Sequence, residues 1–279
     1  MSNLSNEMLQ VMQQRNFSKR TIKTYLCCLR GLAKHYKKSP DLLTVKEVND
    51  YIHYCMTTKG LSNSLANQII GAFRILTINV LKRDWIALDF PRPRREKHLP
   101  SVLSKEEIIR IINVTKNLKH QTIIMLGYSA GLRVGEVLSL KPADIDSQRM
   151  QINIRQAKGN KDRNVVLADL ILVQLRKYWK IYKPQTYLFE GYYGGHQYSA
   201  SSIQTLFKRS AKLAGINRPV SFHTLRHSYA THLLEDGVEL IIIQRLLGHA
   251  NLKTTSVYLH LQQYNINKVK SPLDTLNVK

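Results

Sequence analysis

Hydrophobic positions recur along this chain with two different periods, and the switch between them divides it. Ile22, Tyr25, Leu29 and Leu32 lie three or four residues apart, the spacing of one face of an α-helix. Ser18 stands where an N-cap belongs and predicts a helix running to about Lys37. Thr44 and Glu47 have the spacing of a capping box for a helix to Gly60. Ser62 opens a further stripe of Leu65, Ile69, Phe73 and Leu76, through about Leu81. Residues 1–90 therefore read as a bundle of about four helices. Residues 91–100, Pro91 to Pro100, hold three prolines, which exclude a helix and predict an extended linker.

Beyond the linker the helical period returns and then breaks. Ser104 and Glu107 form a second capping-box pair for a helix ending near Thr115, and another helix is expected from about Leu118 to Ala130. Met150, Ile152 and Ile154 then alternate with Gln151, Asn153 and Arg155, a period of two. Asn164 to Leu167 supplies a partner strand, and Gln156 to Arg163 between them is a basic hairpin tip. The remainder reads as helical, with Gly215, Gly237 and Gly248 at C-cap positions and Ile241, Ile242 and Ile243 in the core. The expected fold is mainly α with a small β-sheet in the second domain, residues 101–279.

Composition narrows the partner. The 279 residues suit two domains, and 43% apolar residues suffice for two cores. The formal charge is +23: +7 in residues 1–90, +3 in the linker and +13 in residues 101–279. A positive excess spread over both halves suits a protein that surrounds a polyanion, nucleic acid above all. Arg92, Arg94 and Arg95 would run the linker along phosphates, and Lys19, Arg20 and Lys23 offer further contacts from the first helix face, as Lys161 and Arg163 do from the hairpin. Cys27, Cys28 and Cys55 form no CxxC pair and read as reduced thiols. No basic leader with an apolar run opens the chain, and no apolar stretch reaches ~18 residues, so a cytoplasmic location without membrane contact is expected.

The chemistry shows first in what is missing. The chain has no Walker loop, no GxGxxG and no carboxylate cluster spaced for two metals. His223 and His227 are four apart, but Arg226 between them opposes a cation, so no metal or other cofactor is expected. Arg133 sits at a helix start among apolar neighbours, where a guanidinium needs an anion, and Glu136 lies one turn on. His223 and Arg226 share a helix face, and Gly248-His249 precedes Tyr258 by nine residues from the histidine.

That series resembles the tyrosine site-specific recombinases of the phage-integrase type, including the bacterial chromosome-dimer-resolving recombinases. The resemblance covers nearly the whole chain and is strongest over Ala130–Leu140, His223–Gly237 and Leu246–His260. It implies a helical core-binding domain, a catalytic domain and a homotetramer on two double-stranded DNA sites. Strand exchange would run through a 3′-phosphotyrosine and a Holliday junction, without metal or ATP. It makes Arg133, Lys158, His223, Arg226, His249 and Tyr258 the catalytic residues, with Glu136 in support. Where the family usually has Gly before the hairpin lysine, Ala157 stands here, and Lys161 is a rival to Lys158. The residues after the tyrosine, roughly Leu261 to Lys279, resemble the segment that packs on a neighbouring protomer, and their apolar Leu261, Tyr264 and Ile266 need a partner surface. Ser271-Pro272-Leu273-Asp274 resembles integron-type integrases, whose extra helical insertion is not evident here. A type IB topoisomerase-like enzyme that relaxes DNA alone shares the chemistry; the compact N-terminal domain and short hairpin favour the recombinase. A non-catalytic DNA-binding accessory protein would not need the full residue set.

Overall fold

A computed structural model of the chain describes residues 3–85, 100–157, 161–249 and 251–260, without the side chains of 156, 157, 161 and 260. The backbone divides into two compact units, Met1–Lys97 and His98–Lys279. The proline-rich linker, residues 91–99, and the tail beyond residue 260 lie outside the described residues, as does Lys158.

The first unit is a helical bundle of α1 (Asn3–Gln14), α2 (Lys19–Tyr36), α3 (Val45–Thr57) and α4 (Asn63–Ile75). Its starts are set by the expected caps: the Ser18 hydroxyl accepts from the Thr21 amide, and Thr44 and Glu47 form a reciprocal capping box. Helix α3 stops at Thr57, three residues before Gly60. Gly60 instead takes φ +58° and lets the Leu61 amide bond back to the Cys55 carbonyl. Helix α4 ends at Ile75 and widens into a π-turn over Leu76–Val80, closed by the Leu81 amide on the Leu76 carbonyl. The bundle core joins Met8, Met12, Leu29, Leu32, Ile52, Ile69 and Phe73 with Cys28 and Cys55, while Cys27 is exposed. Lys19, Arg20 and Lys23 are exposed on the opening turns of α2.

The second unit begins with α5 (Lys105–Val114), α6 (Leu118–Ser129) and the short α7 (Val134–Ser139). Ser104 and Glu107 form the expected box at α5. A three-stranded antiparallel sheet follows, β1 (Ile145–Asp146), β2 (Gln151–Ala157) and β3 (Lys161–Val166), in the order β1-β2-β3. Period-two reading found β2 and β3 but not β1, which is only two residues long. Helices α8 (Asp169–Tyr182), α9 (Ala200–Leu213), α10 (Phe222–Glu235), α11 (Leu240–Leu247) and α12 (Leu252–Thr255) complete the unit, with a 3-10 turn over Ser256–His260. Its main core gathers α5, α6, α8 and α9 with Ile152, Ile154, Val165 and Leu167 of the sheet region. Gly215, Gly237 and Gly248 all take positive φ just past helices, as expected of C-caps.

One core expectation is corrected. Ile243 is fully buried, but Ile241 and Ile242 are exposed, because α11 is an eight-residue helix buried along one face only. Helix α10 is the opposite case: ten of its fourteen residues are buried, polar ones among them. A helix enclosed on most sides places its polar groups against other protein rather than water, so each needs a partner.

Candidate active site

The site grows from the end of α11. The Gly248 amide bonds to the Arg245 carbonyl and the His249 amide to the Gln244 carbonyl, a Schellman arrangement that needs the left-handed φ of +61° at Gly248. The last carbonyls of α11 are then taken by arginines arriving from two other elements. Arg226 on α10 donates through Nη2 to Leu247 O, and Arg163 on β3 donates through Nε to Leu246 O at 2.8 Å. Positive charge at a helix C-terminus also meets the favourable end of its dipole.

Arg226 is wholly buried, and its Nη1 donates to Gly131 O at 2.7 Å and lies 3.7 Å from Glu136 Oε2. Gly131 makes this possible: its φ is +58°, and a Cβ there would stand 2.4 Å from the Tyr229 ring. Nε of Arg226 is buried with no hydrogen-bond partner among the described residues. Burial, and then the Arg133 charge, push its pKa down to about 10, leaving it charged at neutral pH.

Glu136 is the shared anion. It accepts from Arg133 Nη1 at 2.8 Å, from the Arg133 amide at 2.9 Å, and from both terminal nitrogens of Arg163 at 2.9 Å. Burial would raise its pKa; the Arg163 fork and then Arg133 overcome this and hold the carboxyl at about 2. Arg133, the N-cap of α7, keeps 24% of its side chain exposed, the most accessible guanidinium of the three.

The expectation that Arg163 contacts phosphate is therefore corrected. Its side chain is 8% exposed and its fork is closed on Glu136. The sheet register explains why: Arg163 pairs with Ile154 and shares a face with Val165, both buried. That parity was readable in the sequence. Lys161 lies at the start of β3, and its side chain, like all of Lys158, is outside the described residues.

Tyr258 reaches the cluster from the 3-10 turn and is 2% exposed, packed with Tyr229, Ala230, Leu234, Ile243 and Leu247. Burial raises its pKa above the ordinary phenol value, while the charges of Arg226 and Arg133 work the other way. His249 stacks near-parallel to it at a ring distance of 6.5 Å, and its Nδ1 pairs with the Thr255 hydroxyl at 2.9 Å. Burial and then Arg226 and Arg133 lower the His249 pKa to about 4. His223 keeps an accessible ring, yet crowding by protein and then the Arg226 and Arg133 charges lower its pKa too.

The structure thus brings Arg133, Glu136, His223, Arg226, His249 and Tyr258 together from α7, α10, the end of α11 and the 3-10 turn. The sequence left His227 and His232 as structural or phosphate-contacting residues. His232 is structural, its Nδ1 bonded to Tyr128 Oη at 2.8 Å. His227 Nδ1 lies 3.1 Å from Tyr258 Oη. Among the described residues no group of three or more His, Cys, Asp or Glu is placed to hold a metal ion, and no helix is long and apolar enough to cross a membrane.

Known proteins resemble nearly the whole chain. The model of the phage integrase family matches residues 101–264, and that of a phage integrase N-terminal SAM-like domain matches residues 4–87. A putative integrase/recombinase of Sinorhizobium fredii is 37% identical over 277 residues, covering 99% of this chain and 90% of that protein. A tyrosine recombinase of Thermosipho africanus is 31% identical, covering 88% of this chain and 90% of its own. Among solved structures, the XerA recombinase superposes with a TM-score of 0.55 at 29% identity, over 95% of this chain and 94% of that one. XerH bound to a palindromic difH substrate gives a TM-score of 0.71 at 22% identity over 91% and 80%, a likeness of fold.

Proposed function

Because the chain belongs to the phage integrase family, whose relatives here include tyrosine recombinases, we propose that it performs site-specific DNA recombination with Tyr258 as the nucleophile. The observation that carries this reading is the meeting of Tyr258 with Arg226, Arg133, His223 and His249, the Arg226 Nε being buried without a hydrogen-bond partner among the described residues.

Tyr258 Oη attacks the phosphorus and releases its proton to solvent; the bond to the 5′-oxygen breaks as the new one forms. Charge gathers on the non-bridging oxygens, and Arg133 and Arg226 receive it, because guanidinium stays charged and its donors fork to match two oxygens. His223 adds a donor on the same side. Glu136 holds Arg133 in place and is a positioning residue. The leaving 5′-oxygen takes a proton from Lys158 of the hairpin tip, with His249 completing the pocket. The 3′-phosphotyrosine keeps the energy of the broken bond, so the freed 5′-hydroxyl of another strand reverses the step without ATP. Side-chain cations supply the charge stabilisation that Mg²⁺ gives other phosphoryl-transfer enzymes.

The helical domain of residues 1–90 holds the core site through Lys19, Arg20 and Lys23. The linker, residues 91–100, follows the duplex through Arg92, Arg94 and Arg95. Four protomers act on two sites, in the cytoplasm, with residues after Tyr258 joining neighbours. The test uses two labelled duplexes carrying a site selected from random DNA. Exchanged strands and a Holliday junction should form in excess EDTA without ATP. Relaxation of supercoils without exchange, or activity restored only by Mg²⁺, would contradict the reading.

A further inference from the structure

The hydrogen-bond partner of the Tyr258 hydroxyl is His227, one residue beyond the Arg226 of the His-x-x-Arg pair. Its Nδ1 lies 3.1 Å from Tyr258 Oη, and the two rings are 5.7 Å apart. Neither expected histidine takes that place. His249 lies alongside Tyr258 with its Nδ1 given to Thr255, and His223 meets His227 edge-on, with ring centroids 4.6 Å apart.

We propose that His227 is a positioning residue for the nucleophile: its Nδ1 accepts the hydrogen bond of the Tyr258 hydroxyl and fixes the direction of the phenol oxygen beside Arg133 and Arg226. This rests on Tyr258 being the nucleophile. A phenol turns about its Cβ–Cγ axis without moving its oxygen far, but the chain segment that carries it can swing. A directional bond from a rigid helix limits that swing, and α10 is the most enclosed helix of the unit.

The surroundings select positioning over proton removal. Burial, then His223 and Arg226, lower the His227 pKa to about 4, so the ring is neutral and can accept at physiological pH. Burial raises Tyr258 above the ordinary value of 10. With the imidazole pushed down and the phenol pushed up, full transfer of the proton between the two groups is strongly disfavoured. A neutral imidazole here orients the hydroxyl and leaves its proton in place until phosphate arrives.

The test is the rate of covalent adduct formation on a nicked DNA substrate, with DNA affinity measured alongside. His227→Phe keeps the ring volume and removes the acceptor. His227→Asn places Oδ1 near the position of Nδ1 and cannot act as a base. Adduct formation should slow by about 10–100-fold in His227→Phe, as a lost orienting contact does, and stay within about threefold of wild type in His227→Asn, with affinity unchanged in both. Asn as slow as Phe would overturn the proposal in favour of a basic nitrogen; Phe as fast as wild type would overturn it outright. His227→Ala, which cannot overpack the site, should match Phe and serves if Phe fails to fold. Tyr258→Phe runs in parallel. If that variant still forms the adduct, the underlying nucleophile assignment fails; if it is inert and the His227 variants match wild type, only this inference does.

Discussion

Arg226 has no exposed surface, and its charge is tolerable only because Glu136, Gly131 O and Leu247 O surround it. Its place in the cluster with Glu136 and Arg133 was foreshadowed by the His-x-x-Arg spacing and by the position of Arg133 at a helix start. The Arg163 contact was not, because its partner Glu136 lies 27 residues away and a basic hairpin looks like a DNA-facing surface. Its parity with buried Val165 was the signal available. Arg163→Ala leaves a buried carboxylate short of its fork and should cost about 3–5 kcal/mol of stability. Arg163→Lys should lose part of this as well, since one ammonium cannot span both oxygens. Urea unfolding measures the loss. Unchanged stability with weakened DNA binding would return Arg163 to a surface role.

At the scale of elements, caps and periodicity reported most helix starts correctly. Ser18, Thr44 and Ser104 bond as their spacing implies, because a cap is a local interaction between residues three apart. Ser62 precedes its helix but makes no side-chain cap bond. The exposure of Ile241 and Ile242 was illegible, since an apolar run reports hydrophobicity and not which face tertiary neighbours cover. The turn from α6 to α7 depends on Gly131, whose carbonyl holds Arg226. Gly131→Ala adds left-handed strain and drives a methyl into Tyr229, so it should destabilise by about 2–5 kcal/mol. It should also slow cleavage by moving Arg226. Wild-type stability in urea would mean the turn relaxes freely and does not position the arginine.

For the whole molecule, the +23 charge pointed to a polyanion, and the second unit turns part of that charge into a buried network rather than a surface. That network makes folding sensitive to acid. His227 and His249 are pushed by burial from an ordinary 6.5 to about 4, so the unfolded chain binds protons that the folded one refuses. Their contribution is complete above pH 6.5 and is lost as pH falls towards 4. Glu136, held near 2, extends the loss below its ordinary 4.5. The urea midpoint should therefore fall from pH 7 to pH 5, and a flat profile would show that the histidines are solvated. The nucleophile is the claim on which the rest depends. The most direct measurement incubates wild type and Tyr258→Phe with a nicked suicide substrate and resolves SDS-resistant protein–DNA adducts. Wild type should give a single adduct whose DNA-linked peptide contains Tyr258, and Tyr258→Phe should bind DNA with the same affinity and give none. An adduct from the Phe variant, or a linked peptide without residue 258, would contradict the account.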